Sequence, residues 1–261
     1  MREHHQRTIA KLTELFQNDP RYPAMIIGGS IVKGREAENS DVDIMLLATN
    51  REYARCVAAQ DFWYVNREIC DYPSGYAEGK IIDRQYLVDT AERGNDPTRA
   101  AFVGAWVAYS RLPDLNALIA RIPIYPVQEQ QRKMESFYSQ VLVQNWFVGE
   151  AEKRNDPYLL AQCTTELVLY AGRLILAYNQ VLYPYHKWFM YEVRRAPNKP
   201  SDFVELLEQL LAQPGKATAL NVMDSLKNYR DWGVTYAQAI LHFTQDSEWH
   251  WRNSPSPLRD S

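Results

Sequence analysis

The spacing of apolar positions changes character near the middle of the chain. In the first half, short apolar runs alternate with stretches whose apolar residues recur at helical intervals. Ile9, Leu12, Leu15 and Phe16 predict an amphipathic helix that Asn18-Asp19-Pro20 ends. Residues 24–28 form a continuous apolar run between Pro23 and a glycine pair, the pattern of a buried strand. A Gly29-Ser30 turn and a short helix follow, then a strand carrying Asp41 and Asp43. A helix is expected over 52–60 and strands over 62–70 and 80–86, with Tyr72-Pro73-Ser74-Gly75 as a turn between the two. Residues 104–109 read equally as a strand or a helix end. Strands interleaved with helices, some joined by tight turns, predict a mixed sheet.

After Ile122-Pro123-Ile124-Tyr125-Pro126 the period becomes helical throughout. Met134, Phe137, Tyr138, Val141, Leu142 and Val148 fall on one face. Asp156-Pro157 is a helix start, with Asp as N-cap and Pro in the first turn. From it runs a stripe that includes Leu159, Cys163, Leu167, Ala171, Leu174 and Tyr178. Ser201 is expected to cap a third helix stopping near Pro214-Gly215, and a fourth is expected over 217–243. Long helices with short links predict a bundle. The fold class is therefore α+β: a mixed-sheet domain over 1–125, an all-α bundle over 126–245, and a loose tail over 246–261 containing Ser254-Pro255-Ser256-Pro257.

Composition narrows the functions. The chain has 261 residues and a formal net charge of -3, so nothing favours tracking a nucleic-acid backbone. Three scattered cysteines, Cys56, Cys70 and Cys163, form no Cys-x-x-Cys pair and read as small buried hydrophobes in a reducing, cytoplasmic setting. The polar N-terminus leads into a helical pattern with no signal-like apolar region. No run is expected to span a bilayer, and no membrane partner is expected.

The chemistry concentrates in Gly29-Ser30-Ile31-Val32-Lys33-Gly34 and the Ser40-Asp41-Val42-Asp43-Ile44 stretch beyond it. In a strand, Asp41 and Asp43 point to one side while Val42 and Ile44 point to the other. Two adjacent carboxylates repel unless a cation lies between them, and such oxygen ligands suit Mg²⁺. Glycine lets the backbone approach an anion closely. An Asp-x-Asp alone is commonly a solvated strand end or a turn; joined to Gly-Ser at this spacing it says more.

These residues resemble the signature of the nucleotidyltransferase superfamily typified by DNA polymerase β, and within it the aminoglycoside and lincosamide adenylyltransferases. The resemblance is strong at the motif and architectural over the second half. It implies transfer of a nucleoside monophosphate, AMP from ATP, onto a hydroxyl of a small molecule, with Mg²⁺ held by Asp41 and Asp43. It places the triphosphate against Gly29, Ser30 and Ser40, with Lys33 as a charge partner or a solvated helix residue. A third carboxylate, acting as ligand, base or both, is expected at Asp83, with Asp89 and Glu78 as weaker rivals. From the bundle, Lys187 is a candidate for the triphosphate and Glu166 for the acceptor or base. The aromatics around them (Tyr183, Tyr185, Trp188) read first as a helix junction. A monomer or homodimer is expected. Two other functions fit less well: AMP transfer to a protein, as in toxin-antitoxin pairs, and a non-catalytic nucleotide-binding module.

Overall fold

The computed structural model describes residues 1–255, and the chain divides into two compact units, one ending at Ile124 and one beginning at Tyr125. The first is built on a five-stranded sheet: β1 (Ala24–Ile27), β2 (Val42–Leu47), β3 (Trp63–Asn66), β4 (Ala77–Ile82) and β5 (Trp106–Ser110), ordered β3-β4-β2-β1-β5. β2 and β4 run parallel and the other neighbours antiparallel, so the sheet is mixed. Residues 106–110, ambiguous in sequence, pair with β1 as an edge strand.

Helices cover both faces of this sheet: α1 (Glu3–Phe16), α2 (Gly29–Val32), α3 (Asn50–Ala59), α4 (Arg84–Arg93), α5 (Asp96–Ala101) and α6 (Leu115–Arg121). Alternation along β2 sorts the core. Val42, Ile44 and Leu46 pack with Ile9, Leu12 and Phe16 of α1 and Cys56 of α3. Leu47 on the other face joins Ile26, Ile82 and residues of α4 and α6. Burying each such aliphatic side chain contributes about 1.5–3 kcal/mol. Cys56 and Cys163 are buried as expected, whereas Cys70 is only partly covered.

Two strand boundaries differ from the expected ones. β3 stops at Asn66 because that side chain accepts the N–H groups of Glu68 (2.9 Å) and Ile69 (3.0 Å), turning the chain out of the ladder. β4 covers 77–82 rather than 80–86. Its first half, Ala77-Glu78-Gly79, consists of weak strand formers that only pairing on both sides holds extended. Asp83 ends it by capping α4, its carboxylate accepting the Tyr86 N–H at 2.8 Å.

The second unit is helical: α7 (Gln130–Arg154), α8 (Pro157–Tyr178), α9 (His186–Arg195), α10 (Phe203–Ala212), α11 (Lys216–Tyr229) and α12 (Tyr236–Phe243). Asp156 caps α8, accepting the Leu159 N–H at 3.0 Å, with Pro157 in the first turn. The expected apolar stripes of α7 and α8 meet in the core, joined by Phe189 and Val193 of α9 and Phe203 and Leu207 of α10. Contrary to the expectation for α8, it is long and apolar enough by length and composition to cross a membrane, yet it is packed as a core helix here. Asp202, not Ser201, precedes α10 as its N-cap residue. The single helix expected over 217–243 is broken. Trp232 turns inward and donates its indole N–H to the Leu226 carbonyl (3.0 Å), Gly233 takes φ +72°, and Thr235 starts α12 with a capping box to Gln238. Across the expected start of the loose tail at 246, Thr244–Glu248 and then His250–Arg252 form helical turns; Ser256 and Pro257 lie outside the described residues.

Candidate active site

Asp43 lies on the half-open face of β2, between the fully buried Val42 and Ile44 on the reverse face. β1 ends beside it, the Gly28 N–H donating to the Asp43 carbonyl at 3.0 Å. The chain then crosses the Asp43 side chain at Gly29, whose φ is +73°. A Cβ on Gly29 would fall 1.7 Å from Asp43 Oδ2 and 2.5 Å from Cγ. Only glycine satisfies both the left-handed backbone and that contact. The link between Gly-Ser and Asp-x-Asp in the sequence is thus a direct packing of one on the other.

Ser30 opens α2, and its carbonyl accepts the Lys33 (3.2 Å) and Arg35 (3.0 Å) N–H groups that close the turn. The Lys33 ammonium donates to the Ala100 carbonyl of α5 at 2.9 Å. Ser40 organises the loop that delivers Asp41: its hydroxyl oxygen accepts the Ala37 N–H (2.9 Å) and its carbonyl accepts the Tyr72 hydroxyl (2.7 Å).

The third carboxylate is Glu78. Parallel pairing of β2 with β4 sets Glu78 directly opposite Asp43. One carboxylate oxygen from each of Asp41, Asp43 and Glu78 lies within 4.8 Å of the others, and all three residues are half-buried. Asp83, expected in this role, is elsewhere. Five residues of extended chain carry it about 16 Å beyond Glu78, to the opposite end of the sheet. There it caps α4 and sits near Tyr53, whose phenol is pushed up by burial and then by the Asp83 charge. Asp89, the other rival, is on α4, paired with Arg93 at 3.0 Å.

Two residues that sequence reasoning did not single out adjoin the triad. Tyr76 lies next to Asp41 across the ladder, its carbonyl accepting the Val42 N–H at 3.0 Å, and the charges of Asp41 and Glu78, in that order, push its phenol above the ordinary range. The Arg67 guanidinium lies 5.2 Å from the centre of the Tyr76 ring. Neither carries a local motif; the approach of β4 to β2, closed by the Val42 N–H on the Tyr76 carbonyl, brings Tyr76 there, and Arg67 follows β3 to its ring.

Lys187 and Glu166 belong to the second unit, whereas the triad lies wholly within the first. Lys187 is exposed in the first turn of α9. Glu166 is half-buried on α8 and accepts from Gln162 Nε2 at 3.4 Å. Tyr183 and Phe189 are buried in the helical core, while Tyr185 is exposed against the His186 ring.

One oxygen from each of three carboxylates within 4.8 Å of the others is an arrangement that a cation can bridge, and their mutual repulsion favours one there. Their donor atoms are all hard oxygens, with no imidazole or thiolate, which fits a divalent cation of the magnesium or calcium type.

No protein-family model matches the chain, and no curated protein matches it in sequence. In structure it is similar to a nucleotidyltransferase-like protein from Exiguobacterium sibiricum 255-15, at 12% identity and a TM-score of 0.49, over 97% of this chain and 81% of that one. So slight a likeness has no bearing on activity, which rests on the geometry of the acidic triad.

Proposed function

We propose that the chain is a metal-dependent nucleotidyltransferase that moves a nucleoside monophosphate, AMP from ATP, onto a hydroxyl of a small molecule and releases pyrophosphate. The observation that carries this reading is the packing of Asp41, Asp43 and Glu78 into one cluster, with the Gly29 backbone crossing directly over the Asp43 carboxylate.

In this reading Asp41, Asp43 and Glu78 hold Mg²⁺, which neutralises phosphate charge and orients the reacting oxygens when bound. The Gly29 and Ser30 backbone, on the β1 side of Asp43, receives the β- and γ-phosphates. The acceptor oxygen attacks the α-phosphorus, the bond from that phosphorus to the bridging oxygen breaks, and pyrophosphate departs. Glu78, on the β4 side, takes the hydroxyl proton, the role sequence had given to Asp83. Tyr76 stands beside Asp41 and Glu78, close enough for both charges to act on its phenol.

The reading is tested in two stages. Mn²⁺ titration followed by electron paramagnetic resonance reports the metal site without an acceptor. Asp43→Asn and Glu78→Gln are expected to lose binding, and Asp83→Asn to keep it. Pyrophosphate release from ATP with a panel of hydroxyl compounds then reports turnover. Unchanged Mn²⁺ affinity in Asp43→Asn and Glu78→Gln would sink the proposal.

A further inference from the structure

The ladder β3-β4-β2 places three rungs side by side on the face that carries the triad. Val65, Glu78 and Asp43 form the middle rung through the pairs Val65↔Glu78 and Asp43↔Glu78. Trp63, Lys80 and Met45 form the next through Trp63↔Lys80 and Met45↔Lys80. On the other side the pattern continues past the strand ends, with Arg67 over Tyr76 and Tyr76 beside Asp41. The outermost strand therefore presents Trp63, Val65 and Arg67 in a row beside the acids. Trp63 and Val65 are 50% and 43% exposed, an open apolar surface on a sheet whose reverse face is packed. Lys80 is exposed beside Trp63, so a cation stands at each end of the row.

We infer that this row is the acceptor platform, and that it takes a ring-bearing alcohol carrying an anionic group. The inference rests on the transferase reading above. In-line displacement puts the attacking and leaving oxygens on opposite sides of the α-phosphorus. With the leaving phosphates at Gly29, on the β1 side, the attacking hydroxyl arrives from the β4 side, over Glu78, and the body of the acceptor extends across β3. A flat ring covers Trp63 and Val65, removing apolar surface from water. Arg67 or Lys80 pairs with the anionic group, the guanidinium being suited to a carboxylate or phosphate. A polycation of the aminoglycoside kind meets a positive charge at both ends of the row, so the platform selects against it.

The test uses the full chain with ATP and Mg²⁺ and three probe alcohols: 4-(hydroxymethyl)benzoate, benzyl alcohol and 4-(aminomethyl)benzyl alcohol. Ligand-observed NMR reports binding and pyrophosphate release reports transfer. The benzoate is expected to bind tightest and the cationic probe weakest. Trp63→Ala weakens the benzoate about tenfold, as loss of one stacked ring contact and its buried area implies, while leaving Mn²⁺ binding intact. Arg67→Gln narrows the gap between the benzoate and the cationic probe. Equal or tighter binding of the cationic probe, or benzoate binding indifferent to Trp63→Ala, overturns the platform. Those results with Mn²⁺ binding still dependent on Asp43 leave the transferase reading standing; a wild-type chain that binds no Mn²⁺ removes both.

Discussion

Replacing Gly29 by alanine separates two costs that the structure superimposes at one position. The first is conformational: a Cβ at φ +73° costs roughly 1–2 kcal/mol. The second is steric, because that Cβ would lie 1.7 Å from Asp43 Oδ2 and 2.7 Å from its Cβ, so the carboxylate or the strand must move. Overpacking of this kind costs about 1–3 kcal/mol, which puts Gly29→Ala at about 2–5 kcal/mol in all. Gly34 supplies the control. Its φ is +63°, but a Cβ there meets nothing within 4 Å, so Gly34→Ala carries the conformational cost alone. Urea denaturation of both variants reads the difference, expected at about 1–3 kcal/mol. Mn²⁺ affinity and pyrophosphate release read the functional part. Displacing a positioning carboxylate by about 1 Å costs on the order of 10²-fold in rate, and Gly34→Ala should show no such loss. Gly29→Ala that matches Gly34→Ala in both stability and metal affinity would refute the claim that glycine is there to admit Asp43.

Other substitutions probe the remaining assignments. Asp83→Ala should cost about 1 kcal/mol through loss of the α4 cap, with Asp83→Asn near neutral and metal binding unchanged in both; a metal defect in Asp83→Asn would return that residue to the site. Glu52, buried against Arg55 and the Tyr22 hydroxyl, has its carboxyl held below the ordinary range chiefly by the Arg55 hydrogen bond. A lowered folded-state value stabilises above the unfolded value near pH 4.3 and is lost as pH falls below it. The stability gap between wild type and Glu52→Gln should therefore close on acidification, as thermal melts across that range would show. In the helical unit, a Cβ on Gly172 would fall 2.2 Å from Phe189 Cζ, whereas one on Gly149 would meet only Lys216 Cδ at 3.7 Å. Gly172→Ala is expected to destabilise by about 1–3 kcal/mol and Gly149→Ala to stabilise by up to about 1 kcal/mol; the reverse order in denaturation would contradict the packing of α8 on α9.

What could be read from sequence was local. The buried run at 24–27, the Asp156-Pro157 helix start and the alternation that puts Asp41 and Asp43 on one face each depend on neighbours a few residues away. Their positions follow from periodicity and capping chemistry. The third carboxylate did not follow, because it is chosen by pairing between strands far apart in the chain. Asp83 sits in the more convincing apolar context and is used as a helix cap; Glu78 sits among Ala77 and Gly79, poor strand formers, and is used in the triad. The break between α11 and α12 was hidden for a related reason: the apolar spacing continues through Trp232, and only its burial shows that the chain turns there.

Since pairing selects Glu78, something must hold the register, and Gly79 is placed to do so. A shift of β4 by one residue would turn Glu78 to the reverse face, among Ile44 and Leu46, and present Ala77 or Gly79 to the aspartates. At Gly79 the strands approach so closely that a Cβ would lie 2.0 Å from the Ile44 carbonyl oxygen and 2.7 Å from Ile44 Cγ1. No side chain fits there, so neither neighbour of Gly79 can occupy its rung without forcing β2 and β4 apart. Gly79→Ala should consequently weaken Mn²⁺ binding as severely as Glu78→Gln, although its own methyl faces away from the acids on the opposite side of the sheet. Gly34→Ala, whose Cβ meets nothing within 4 Å and which lies outside the ladder, should leave far more of the metal affinity. Full metal affinity in Gly79→Ala would mean that the register is set elsewhere, and that the triad tolerates a spacing between β2 and β4 wider than the one seen.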